Sequence, residues 1–115
     1  MLLTTTPPIL ISPVTDTVQS WRLVEGETPV DFTASVDNKA WSAEFLLENC
    51  GFVAFRAAAE LDAAGYINIT IPAATSAAIR SAKRIDAKYQ IRFTAPLSDF
   101  DEVWQGPIVV QEVVA

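Results

Sequence analysis

The chain has 115 residues, half of them hydrophobic, and a net charge of −6. It is one domain by length, with enough apolar content to build a core without cross-links. It has no histidine and a single cysteine, Cys50, which excludes histidine-based triads, His-ligated or thiolate zinc sites and an intramolecular disulfide framework. The acidic balance repels phosphate backbones and argues against nucleic acid as a partner.

The N-terminal segment MLLTTTPPILIS carries no basic residue, and its two prolines interrupt the apolar ones. It lacks the features of a secretory signal, and no apolar run approaches the ~20 residues of a spanning helix. The expectation is a soluble chain made in a cytoplasm, with no membrane partner. Residues 1–15 are rich in Thr and Pro and favour extended backbone. We read them as an arm set apart from a domain over 16–115. The arm is either a first edge strand of its own domain or a segment that docks on a neighbouring subunit. The docking form would use Pro7, Pro8, Ile9, Leu10, Ile11 and Pro13.

Candidate strands then recur at short intervals. VQSWRLVEG (18–26) ends at Gly26, and TPVDFTASV (28–36) alternates Val30, Phe32, Ala34 and Val36 against polar residues. DNK (37–39) reads as a turn. WSAEFLL (41–47) alternates Trp41, Ala43, Phe45 and Leu47 against Ser42, Glu44 and Leu46, and ENCG (48–51) turns the chain again. FVAFRAAAELD (52–62) mixes strand and helix formers and is assigned as strand, with AAG (63–65) as its turn.

The stretch GYINITIPAATSAAIRSAKRIDAKYQIRF (65–93) is the most legible. Ile67, Ile69 and Ile71 alternate with Asn68 and Thr70, Pro72 stops the strand, and Ala73 to Arg80 suits one or two helical turns with Thr75 as a capping candidate. Tyr89, Ile91 and Phe93 then alternate with Gln90 and Arg92. LSDFD (97–101) is a turn, and VWQGPIVVQEVV (103–114) is the last strand, with a bulge or edge position at Gly106-Pro107. About seven or eight short strands with at most one short helix predict an all-β fold, a single antiparallel, immunoglobulin-like β-sandwich. The helical turn near 73–80 would carry the chain from one sheet to the other. Asp86 and Tyr89 stand where a tyrosine corner would form.

No reaction chemistry emerges. Asp99, Asp101 and Glu102 cluster, but Trp104 and Val110 occupy the places where a calcium loop needs Gly and Glu, so a solvated turn is favoured. Glu44, Glu60 and Asp62 would form a hydrolytic pair only if the fold joined two of them. Cys50 reads as a buried, inert thiol. Arg80, Lys83 and Arg84 read as a solvated face. Trp21, Trp41 and Trp104 fit core positions, with a sugar-stacking platform as the alternative. The expectation is no enzyme, no cofactor and no metal.

Several segments taken together resemble a type of small bacteriophage virion protein, a β-sandwich similar to the N-terminal domain of upper baseplate proteins. They are WRLVEGET followed by PVDFTASV, the tryptophan-led WSAEFLL, GYINITIPAATSAAI with its Pro-x-x-Thr-x-x-Ile turn, the tyrosine-led YQIRFTA, and VWQGPIVVQEVV. The resemblance covers roughly 18–114 and leaves out the arm. It implies a structural role in the virion, in a tail, baseplate, neck or fibre, with several copies per particle, other virion proteins as partners and no cofactor. The apolar ending Val113-Val114-Ala115 fits a strand paired in a sheet or covered by a partner. The expected function is therefore a non-enzymatic virion protein that joins components by subunit contacts, as a homo-oligomer or within a symmetric assembly. A carbohydrate-binding module, with a glycan as partner, is the alternative.

Overall fold

The structure, a computed structural model, describes residues 2–5, 7–33, 35–36, 39–94 and 101–111. The strands in chain order are β1 (Leu2–Thr5), β2 (Ile9–Ile11), β3 (Thr17–Arg22), β4 (Val24–Glu25), β5 (Thr28–Pro29), β6 (Ser35–Val36), β7 (Lys39–Ala40), β8 (Ser42–Asn49), β9 (Phe52–Ala58), β10 (Glu60–Leu61), β11 (Tyr66–Ile71), β12 (Ala87–Thr94) and β13 (Asp101–Val110). One helix, α1 (Ala73–Arg80), lies between β11 and β12. The larger sheet has the order β1-β13-β12-β8-β9, with β2 also on β13, and a three-stranded sheet has the order β10-β11-β3.

Period-two patterning builds both sheets. In β12, Ala87, Tyr89, Ile91 and Phe93 are buried while Lys88, Gln90, Arg92 and Thr94 are exposed. In β8, Ala43, Phe45 and Leu47 turn the same way, and in β11 Ile67, Ile69 and Ile71 are buried. These residues from both sheets belong to one hydrophobic cluster, with Ile79 of α1 among them. A chain of rings links the sheets: Trp21 of β3 lies 5.8 Å from Tyr89 of β12, which stacks on Phe45 of β8 at 5.9 Å. Each such contact adds about 1 kcal/mol to the burial of the rings.

The segment assigned as strand over 52–62 is strand, but it serves both sheets. Phe52–Ala58 pairs with β8, and Glu60–Leu61 pairs with β11. The switch is at Ala59, whose N–H still donates to the Ala43 carbonyl at 2.9 Å. The β8–β9 connection is a two-residue hairpin loop in which Cys50 (φ 53) and Gly51 (φ 83) are both left-handed, the type I′ geometry that matches strand twist.

The helix falls where the sequence places it and joins the three-stranded sheet to the larger one. Its cap differs from the expected one. Thr75 lies inside the helix, and Asp16, far away in sequence, accepts the Ala73 N–H at 2.9 Å. Pro72 stands at the N-cap and has no side-chain acceptor to offer, so a neighbouring carboxylate takes the role. Ser76 of α1 is fully buried, and its hydroxyl finds no hydrogen-bond partner among the described residues. Ser76→Ala should therefore raise stability by about 1 kcal/mol, because it removes an unsatisfied buried group and improves helix propensity. A thermal melt in which Ser76→Ala is no more stable than the parent would contradict this.

Three further expectations are corrected. The strand expected over 28–36 is only β5 and β6. Asp31 accepts the Thr33 N–H at 2.9 Å and the Thr33 hydroxyl at 2.6 Å, and this local bonding competes with a ladder. The strand expected over 18–26 breaks at Leu23, whose N–H leaves the ladder to reach the Gly65 carbonyl at 2.8 Å. The sheets are not wholly antiparallel: β1 and β2 both run parallel to β13. Pro7 and Pro8 fall between β1 and β2, opposite the stretch that contains Gly106 and Pro107. Prolines donate nothing to a ladder, so they collect where this one is interrupted.

Residues 97–100 of the turn expected at 97–101 and the centre of the one at 37–39 lie outside the described residues, as do Val113, Val114 and Ala115, while Asp101 opens β13 instead of closing a turn.

Candidate functional site

The six residues expected to dock on a partner divide by their positions. Ile9 and Ile11 are 2% and 0% exposed and belong to the core, whereas Pro7, Pro8 and Leu10 are exposed and Pro13 is half-buried. The segment is held by a contact the sequence did not reveal. The buried Tyr89 donates its hydroxyl to the Pro7 carbonyl at 2.8 Å. No tyrosine corner forms with Asp86. That residue instead bonds the β8–β9 loop, accepting the Cys50 N–H at 3.0 Å and donating its own N–H to Asn49 Oδ1 at 2.8 Å.

Two of the carboxylates considered for hydrolysis have other partners, and Glu60 is exposed on β10. Glu44 pairs with Arg56 at 3.1 Å on the outer face of the larger sheet. Asp62 accepts the Ala64 and Tyr66 N–H groups, both at 2.9 Å, and shapes the β10–β11 turn. Asp99 lies outside the described residues, and Asp101 and Glu102 pair with Thr94 and Phe93 through the ladder. No metal-holding group of three or more His, Cys, Asp or Glu occurs among the described residues. Cys50 is not buried as expected: it is half-exposed at a hairpin tip, its Sγ 3.5 Å from the Arg84 carbonyl. A loop in the left-handed region needs a small residue, and that need is independent of burial.

The tryptophans each rest on a ring of the core. Trp21 is against Tyr89, Trp41 is edge-on to Phe32 at 5.2 Å, and Trp104 is edge-on to Phe93 at 4.8 Å. Trp104 is 8% exposed. A sugar platform needs two coplanar, exposed indoles; Trp104 is buried and Trp21 and Trp41 are half-buried.

Two surfaces stand out among the described residues. One is a shallow polar concavity of about 740 Å³ on the outer face of β8, β9 and β12, lined by Ser42, Glu44, Arg56, Gln90, Arg92 and Thr94 with Leu46 among them. The other is an apolar groove of about 410 Å³ between the β8–β9 hairpin and α1. Phe52, Val53 and Ala54 form one wall, and Ala78, Ile79 and Ala82 form the other. Phe52 is 79% exposed and Val53 56%. Ile85, 49% exposed, sits on the segment that crosses the hairpin tip, where the Arg84 carbonyl accepts the Asn49 side-chain N–H at 3.2 Å. Arg80, Lys83 and Arg84 follow on from the helix and are exposed.

An exposed phenylalanine beside an exposed valine is an expensive way to end a hairpin unless something covers it. The sequence held a partial signal. The basic residues were visible, and so was the strand that opens at Phe52, but its exposure was not. The register Asn49↔Phe52 places it at the tip instead.

No protein-family model matches the chain, and no curated protein matches it.

Proposed function

We propose that the chain is a non-enzymatic structural subunit that works through surface contacts, of the kind that joins tail, baseplate, neck or fibre components in a bacteriophage virion. The observation that carries the assembly role is the groove at the hairpin end, where Phe52 and Val53 are exposed against the apolar face of α1. An apolar surface rimmed by charge is the ordinary anatomy of a protein–protein contact.

We also infer an immunoglobulin-like β-sandwich. Support comes from the shared core of the two sheets and from the helix that carries the chain between them. The assignment to virions rests on the residue pattern running from WRLVEGET to the last strand.

The N-terminal segment enters this reading through Leu10 alone among its isoleucines and leucine at 9–11. Leu10 is 55% exposed, beside Val109, its ladder neighbour, at 47%. Truncating residues 1–15 would strip Ile9 and Ile11 from the core, so substitutions at Leu10 report on docking more cleanly than a truncation does.

The test is to separate assembled particles on a density gradient from the cells that make the chain and to quantify their peptides by mass spectrometry. The expected result is this chain at a fixed ratio to the other particle proteins. A chain found only among free soluble proteins would overturn the proposal.

A further inference from the structure

Among the described residues, the two ends of the molecule differ in charge. The first end is set by the β8–β9 loop and α1. Arg84 lines the groove with Phe52 and Val53 there, Arg80 and Lys83 are exposed just before it in the chain, and Asp86 is an exposed carboxylate on the same segment. Glu48 and Lys88 face each other in the ladder and offset. The Asp16 carboxylate is turned onto the helix start.

The second end follows from the strand directions. β11 runs away from it into α1, and β3 runs towards it, pairing Tyr66 with Arg22 and Ile71 with Thr17. The segment after β3 folds over the same end: Val30 donates its N–H to the Leu23 carbonyl at 3.0 Å, and Phe32 donates to the Asp62 carbonyl at 3.2 Å. Among the described residues, Glu27, Asp31 and Glu60 are exposed at this end and Asp62 is half-buried, with Arg22 beside them. This end has apolar surface as well. Tyr66 is 39% exposed with the Arg22 guanidinium 5.0 Å above its ring, and Val24 is 41% exposed.

We propose that copies of this chain associate head to tail. The Phe52–Val53 end of one copy, with Arg84 in its groove and Arg80, Lys83 and Ile85 exposed on the adjoining segment, docks on the acidic end of the next copy around Tyr66 and Val24. The proposal rests on the assembly reading above and names the partner as a second copy. Charge complementarity within one chain is the argument. A symmetric contact between two basic ends would set like charges against each other, whereas basic on acidic attracts and steers the encounter. Such a contact is heterologous. It closes into a ring if the rotation per copy allows and otherwise extends into a filament.

The test uses sedimentation velocity on the full chain over a wide concentration range. The expected result is a concentration-dependent series of oligomers, weakened about tenfold when salt rises well above physiological strength. Phe52→Asp blocks the first end and should weaken association by about 30-fold or more, as the loss of a central anchor does. Glu27→Lys with Glu60→Lys blocks the second end. These are exposed positions, and circular dichroism confirms that each variant is folded.

Each blocked variant alone should be monomeric. Mixed together, they should form a one-to-one dimer and nothing larger, because one intact end of each kind remains. Oligomers that survive either block would overturn the proposal. So would a mixture that stays monomeric, or an association that Phe52→Asp abolishes and the Glu27/Glu60 change leaves intact. A parent chain that is monomeric throughout also overturns it, while fixed-ratio recovery in gradient-purified particles would still support the wider structural role.

Discussion

Gly65→Ala should destabilise the folded chain by about 3 kcal/mol, the combined effect of a left-handed backbone and a backbone clash. Gly65 has φ +85, which L side chains rarely adopt. A Cβ built there meets the Leu23 carbonyl oxygen at 2.5 Å, with the Val30 nitrogen at 3.2 Å. Those are backbone atoms and cannot swing aside as a side-chain end would. The same residue accepts the Leu23 N–H at 2.8 Å, so relieving the clash by moving the chain forfeits that bond. The β10–β11 turn and the Leu23–Val30 segment should loosen together. Chemical denaturation checks the magnitude. A variant within about 0.5 kcal/mol of the parent, the ordinary range of a surface change, would show that the close approach is not as drawn.

The second large effect is at Tyr89. Tyr89→Ala should cost about 4 kcal/mol, in the range of other large-to-small core changes. The ring is 1% exposed and touches both Trp21 and Phe45, so no neighbour can relax into the space without disturbing the contact between sheets. Tyr89→Phe separates the hydroxyl from the ring and should cost about 1–2 kcal/mol, the loss of one buried hydrogen bond to the Pro7 carbonyl. That smaller loss should be local. Amide exchange should quicken in β2 relative to β12, because the hydroxyl ties the N-terminal strand to the sheet. Equal exchange in both strands would mean that pairing with β13 alone holds the segment.

Head-to-tail association would give the edges and ends of this fold a use. In such an assembly the exposed Phe52 would give the contact its direction, since only unlike ends would attract. The ring contacts between sheets, the Asp16 cap on α1 and the Tyr89 tie on the N-terminal strand would then hold the two ends in a fixed relation.

Local pattern was legible wherever a residue's role depends only on its near neighbours. The alternation of Ile67, Ile69 and Ile71, the stop at Pro72, the helix from Ala73 to Arg80 and the alternation from Tyr89 to Phe93 all follow from period, propensity and the missing proline donor. The turn expected within 48–51 is of the same kind and falls at Cys50 and Gly51. Expectations failed where a side chain competed with the ladder, as Asp31 does, or where a backbone group found a distant partner, as Leu23 does with Gly65.

By itself the sequence determined a β-rich domain with one short helix and with the strand faces in β8, β11 and β12 that enter the core. Tertiary structure alone decided which strands share a sheet, that the N-terminal strands run parallel to β13, that Tyr89 reaches Pro7, and that Phe52 and the acidic turns end up at opposite poles. The reason is physical. Side-chain period is set by bonds along the chain, whereas sheet order, distant hydrogen bonds and surface charge arise from contacts between residues far apart in sequence. Those contacts form only when the whole core closes.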